Sequence, residues 1–193
     1  MFGPGSGNPV LARCGYVLMI DEVSLDERPR YDTTHDSVLG ICREHGSQYD
    51  LSVTLENLLE LQLGLRDGTI HRAKEATVVS LAPFSETHYN PTPIIISGTC
   101  KTERDVQQAK WINRSLEAWE SNPHGQAVRG LIWSIATDGD AVQRKAVHHV
   151  AMAYRLEPSS PIYPLLEPLA LMNLQCGPNS ITVDIDYKHL YKR

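Results

Sequence analysis

Long hydrophobic runs are missing from this 193-residue chain, and the longest fall far short of the roughly 20 residues a membrane-spanning helix needs. No positively charged start followed by an apolar stretch opens it. The first residues read MFGPGSGNPV, so no secretory signal is expected. Basic residues are in deficit, with 18 Lys and Arg against 23 Asp and Glu and a net charge of −5. The basic surplus that marks a nucleic-acid-binding domain is therefore absent, although a larger protein can carry such a surface elsewhere. Cysteine is sparse: Cys14, Cys42, Cys100 and Cys176 lie far apart, with no C-x-x-C pair. That pattern argues for free thiols in a reducing compartment rather than a disulfide framework or a zinc ribbon. Internal repeats are also lacking.

What is present suffices for one domain of ordinary size, since 41% of the residues are hydrophobic. Residues 1–13 read as a flexible arm and 14–193 as the domain. The chain is organised around CGYVLMIDEVSLD, Cys14 to Asp26. Tyr16 to Ile20 is an apolar run of strand length that ends on Asp21 and Glu22. Such a run fits a strand buried on both faces. A carboxylate there is costly unless it is paired or binds a metal. Asp21 is thus either a satisfied structural acid or the first ligand of a site.

Downstream, LDERPRYD reads as an exposed turn, Ser37–Cys42 as a short strand and Arg43–Gly46 as its end. Leu55, Leu58, Leu59 and Leu63 recur near helical spacing, with Thr54 as cap and Gly64 as stop. Together, residues from about 24 to 75 form a helical insertion. Residues 76–82 and 94–98 are strand-like and most simply pair antiparallel. A helix over 103–120 follows, capped by Thr102 with Asp105, and presents Val106, Ala109, Ile112, Leu116 and Trp119 on one face. Residues 131–136 form the next buried strand, ending on Thr137-Asp138-Gly139-Asp140. A second helix carries Val142, Ala146, Val150 and Tyr154 on one face, and Leu165–Leu174 suggests a short helix. Ile181, Val183 and Ile185 alternate with polar residues, as in a strand.

This order predicts an α/β fold. Three strands form an antiparallel meander, and a right-handed crossover returns the fourth parallel to the first, on its free edge. The arrangement resembles the ribonuclease H-like mixed sheet flanked by helices. It places Asp21 and Asp138 at the same end of neighbouring strands, where two carboxylates can share magnesium. Two such ions about 4 Å apart activate a nucleophile and stabilise the leaving oxygen in phosphodiester chemistry.

Three stretches carry a family resemblance: MIDEVSL (19–25), ATDGD (136–140) and ITVDIDYKHLYKR (181–193). With Tyr31-Asp32, Val38-Leu39-Gly40 and the spaced Asp186, His189 and Lys192, they resemble the catalytic region of P-element-type transposases and the transposase-derived proteins of fungal genomes. The resemblance spans about 14–193. It implies a DDE-type nuclease and strand transferase acting on DNA with Mg or Mn, nuclear and not membrane-bound. Asp21 matches the first catalytic, metal-binding acid and Asp138 the second, with Asp140 as fallback. His189, Lys192 and Arg193 match positions that can contact nucleic acid. The family's third acid lies far downstream, so the chain reads as the front half of such a domain, with an incomplete site and little nuclease activity. The alternative is a non-catalytic protein-interaction module that keeps the fold. A stand-alone nuclease would have to recruit Glu22 or Asp140.

Other candidates have plainer readings. Asp140 caps the following helix, and Glu22 and Asp26 are surface or loop acids. His148 and His149, adjacent on a helix, face different ways. Cys42-x-x-His45 has metal-ligand spacing, but no second pair accompanies it in the sequence, so a zinc site is not expected there. Trp111, Trp119 and Trp133 serve packing.

Overall fold

A computed structural model describes residues 14–87, 89–138 and 140–185. The predicted arm and the residues Asp186, His189, Lys192 and Arg193 lie outside the described residues. In chain order the elements begin with β1 (Tyr16–Ser24), β2 (Arg30–Asp32), β3 (Ser37–Leu39), α1 (Arg43–Gly46) and α2 (Leu55–Asp67). Next come β4 (Glu75–Pro83), β5 (Thr92–Thr99), α3 (Asp105–Ser121), α4 (Gln126–Arg129) and β6 (Ile132–Thr137). The chain continues through α5 (Ala141–Ala151), β7 (Tyr154–Arg155), α6 (Tyr163–Leu166), β8 (Gln175–Cys176) and β9 (Thr182–Ile185).

The fold is mixed α/β. Five strands form one sheet in the order β5-β4-β1-β6-β9. β1 pairs antiparallel with β4, and β4 with β5, whereas β1–β6 and β6–β9 are parallel. The parallel pairs need crossovers, and the helical segments between their strands supply them. One face of the sheet is apolar at alternate positions: Leu18, Ile20, Val79, Leu81, Ile132 and Ile135 pack on Ala109 and Ile112 of α3 and on Ala146, Val147 and Val150 of α5. Ile132 and Ile135 share that face because the β1–β6 register shifts between Tyr16 and Val17. On the other face of β1, Met19, Asp21 and Val23 are exposed. A smaller core of Val38, Ile41, Leu61 and Ile70 lies within the β1–β4 connection.

The helix termini differ from the sequence reading in two places. Gly64 does not stop α2; it lies inside the helix, where a Cβ would stand 2.5 Å from Ile70 Cδ1. Close packing requires glycine there, and the stop is Gly68, whose φ of 81° suits the left-handed cap. Nor does Thr102 cap α3. Its cap is Arg104, whose N–H donates to the Gln107 side chain at 2.9 Å. Val106 is exposed rather than core-facing, and Tyr154 belongs to β7 instead of the face of α5.

Asp140 caps α5 as its position predicts, accepting from Val142 N–H at 3.0 Å and Gln143 N–H at 3.4 Å. Asp140→Ala is expected to cost about 1 kcal/mol of stability in urea unfolding. A change under a few tenths would mean the cap contributes nothing.

Candidate functional site

The C-terminal ends of β1, β5 and β6 and the start of β4 meet at one end of the sheet. Two groups of ligand-bearing side chains stand there. The first is acidic. The parallel register runs Ile20↔Thr137, so Asp21 follows within β1 and Asp138 follows the end of β6. Ile20 and Thr137 are buried on the helix-covered side. Asp21, within β1, is exposed on the face opposite the helices, and Asp138 follows the end of β6 and is half-buried. Asp21 accepts from Glu22 N–H at 2.8 Å and Asp138 from Asp140 N–H at 3.0 Å. Among the described residues neither forms an ion pair. An oxygen-rich pair with unneutralised charge suits a hard divalent cation. Asp184 of β9 lies opposite Ala136, two residues short of the level of Asp138.

Glu22 is not the surface acid its sequence context suggests. Its side chain is 7% exposed and paired with Lys101, which also bridges to Glu75 at 2.9 Å. Burial lifts the Glu22 carboxyl above its ordinary range, and Lys101 opposes that lift. Burial alone would lower Lys101, but bonds to the two carboxylates outweigh it and hold the ammonium raised. Glu22 is thereby occupied, as is Asp140 at its cap. Asp26 is a loop acid paired with Arg28 and Arg30.

The second group was not legible as a group in the sequence. Cys42, at the start of α1, and His45 within it meet His71, just before β4, and Cys100, just after β5. Their ligand atoms all lie within 4.8 Å of one another. The pair missing beside Cys42-x-x-His45 is thus split across 29 residues, and only the pairing of β4 with β5 unites it. His45 Nδ1 stands 3.2 Å from Cys42 Sγ and 3.6 Å from Cys100 Sγ, and His71 Nδ1 stands 3.4 Å from Cys100 Sγ. Cys42 is 0% and Cys100 4% exposed. Burial pushes the free Cys42 thiol up to about 12, a backbone donor at His45 opposes this, and Cys100 and Glu44 add to it. Glu44 braces the cluster, accepting from Thr99 Oγ1 and from Cys100 N–H. Burial opposes its ionisation, but those donors hold it below the ordinary carboxylate range.

His148 and His149 do not converge, with ring centroids 6.2 Å apart and nearly perpendicular. His149 instead bonds Asp105 at 3.0 Å, which holds that carboxyl below its usual range. Trp119 packs on Tyr16, Trp111 lies under Arg43, and Trp133 stacks on Phe84.

Among the described residues no helix is long and apolar enough to cross a membrane. No known protein family's profile matches the sequence, and no curated protein matches it. Among solved structures, the chain is similar to one titled Drosophila P element transposase strand transfer complex, with 13% identity and a TM-score of 0.43. That similarity covers 96% of this chain and 29% of the other, so this chain spans less than a third of its length.

Proposed function

We propose that the chain is a transposase-derived, ribonuclease H-like domain whose Asp21 and Asp138 bind Mg or Mn for phosphodiester chemistry on DNA. The observation that supports this reading is the parallel pairing of β1 with β6 in the register Ile20↔Thr137, after which Asp21 and Asp138 follow in the chain. The strand order β5-β4-β1-β6-β9 supports it, as do the motifs MIDEVSL and ATDGD. The metal, when bound, lowers the pKa of a water or hydroxyl and neutralises charge on the leaving oxygen. The two carboxylates contribute the cation's anchoring. Because Glu22 and Asp140 are committed elsewhere, neither supplies a third acid, and DNA cleavage by this chain alone is weak or absent. His189, Lys192 and Arg193 are proposed DNA contacts, the place of action is the nucleus, and residues from about 24 to 75 are an insertion in the domain.

Calorimetric titration with Mg or Mn tests the reading. Wild-type protein binds, and Asp21→Asn with Asp138→Asn does not. Equal heats for both proteins would remove the acidic site. Robust nicking that disappears in Asp21→Asn would overturn only the expectation of weak activity.

A second reading has one observation in its favour. Met19, Val23 and Ile96 expose apolar surface on the sheet, as a non-catalytic interaction module would.

A further inference from the structure

We infer that Cys42, His45, His71 and Cys100 form a closed structural zinc site that pins the β1–β4 connection to the end of the β4–β5 hairpin. Zinc takes two thiolates and two imidazoles tetrahedrally at about 2.3 and 2.0–2.1 Å. Those bond lengths set sulfur–nitrogen edges of about 3.6 Å. The three observed sulfur–nitrogen separations are 3.2, 3.4 and 3.6 Å. All four donor atoms lie within 4.8 Å of one another.

The surroundings prepare the ligands. His71 Nε2 stands 3.1 Å from Gly68 O. A carbonyl oxygen only accepts, so Nε2 carries the proton and Nδ1 presents its lone pair towards the sulfurs. Gly68 is the left-handed residue that ends α2, so the cap of that helix orients a ligand. Thr102 Oγ1 stands 3.1 Å from Cys100 Sγ, placed to donate to a thiolate. Cys42 N–H donates to His71 O at 3.0 Å, tying two ligand segments by their backbones.

Competing uses of these groups fit less well. A nucleophilic cysteine needs access to substrate, and Cys42 is fully buried. Four protein ligands leave no open position, which distinguishes a structural zinc from a catalytic one. Soft thiolates with imidazoles favour zinc over the hard cations suited to Asp21 and Asp138.

The test is the metal content of the whole chain, purified under reducing conditions, together with cobalt(II) as a spectroscopic probe. Wild type is expected to hold about one zinc per chain, and cobalt is expected to give the visible bands of a tetrahedral thiolate site. Cys42→Ser with Cys100→Ser reduces both to background. His71→Cys, which keeps four ligands, retains the metal and strengthens the sulfur-to-cobalt absorption, and so tests the assignment without deleting the site. Thr102→Val weakens zinc affinity about 10-fold or more. Asp21→Asn with Asp138→Asn leaves zinc content unchanged, so this site and the acidic one stand or fall separately. Reduced wild type with no zinc and no tetrahedral cobalt spectrum would overturn the inference. So would a Cys42–Cys100 disulfide that persists under those reducing conditions.

Discussion

Arg43→Ala is expected to destabilise the fold by about 3–5 kcal/mol, the cost of leaving one member of a buried ion pair alone. Arg43 and Glu103 have side chains only 14% and 10% exposed. The guanidinium engages both carboxylate oxygens, with Nε to Oε1 at 3.1 Å and Nη2 to Oε2 at 2.5 Å. Its third nitrogen donates to Thr77 Oγ1 at 2.9 Å and to Ser97 O at 3.3 Å. The plane also lies 4.9 Å from the Trp111 ring centroid. One side chain of α1 therefore connects β4, β5, α3 and the segment leading into α3. Lysine cannot reproduce a planar two-point fork, so Arg43→Lys recovers only part of the loss. Arg43→Met with Glu103→Leu should cost less than Arg43→Ala alone, since no charge is then stranded. Urea unfolding of the three variants checks this. A loss below about 1 kcal/mol for Arg43→Ala would mean that water replaces the guanidinium, as at an exposed pair.

The sheet was readable in the sequence because its signals are local. Tyr16 to Ile20 and residues 131–136 are short apolar runs, and both became central parallel strands. The segments around residues 79 and 95 are β-branched and joined by a turn-rich loop, and they pair antiparallel. The register Ile20↔Thr137, after which Asp21 and Asp138 follow, comes from that topology and from the ends of the two runs. Stops and caps were less legible. Gly64 and Gly68 are both plausible stops by composition, and only the approach of Ile70 shows which one must be glycine for packing. Thr102 looks like a cap, yet its hydroxyl faces Cys100 Sγ. Glu22 looks solvated beside Asp21 at the end of the apolar run, and its partner Lys101 is 79 residues away. The Cys–His cluster escaped for the same reason. Sequence spacing reveals a metal site when ligands come in pairs on one turn, and here His71 precedes one strand of a hairpin and Cys100 follows the other. The one signal available was Cys42-x-x-His45 followed by an isolated His before one strand and an isolated Cys after its partner.

Removing zinc is expected to unfold the β1–β4 connection while the five-stranded sheet persists. The connection has a small core of its own, Val38, Ile41, Leu61 and Ile70, with Tyr49, Leu51, Val53 and Leu65 packed against it. Ordering its backbone costs conformational entropy that a core of this size offsets only in part. Structural zinc in small sites supplies an apparent 10–16 kcal/mol near neutral pH, enough to decide whether such a segment is ordered. The larger core of β1, β4, β6, α3 and α5 contains none of the four ligands. A strong chelator should therefore abolish hydrogen-exchange protection at Leu61, Gly64 and Ile70 and leave it at Leu18, Val79 and Ile135. Thermal unfolding should separate into two transitions, and added zinc should merge them. Binding of this kind stabilises by about 4 kcal/mol when free zinc is 1,000 times its dissociation constant. A single transition, unmoved by chelator or zinc, would mean that the satellite core and the Arg43–Glu103 pair hold the connection without metal. Loss of protection throughout would make the metal a condition for the whole fold. The expected intermediate result links the two sites physically. Arg43 and Glu44 lie between the zinc ligands Cys42 and His45 in the chain, and they reach Glu103, Thr77 and Thr99. Ordering α1 thus fixes the framework on which Glu22, Lys101 and the neighbouring strand ends, with Asp21 among them, are held.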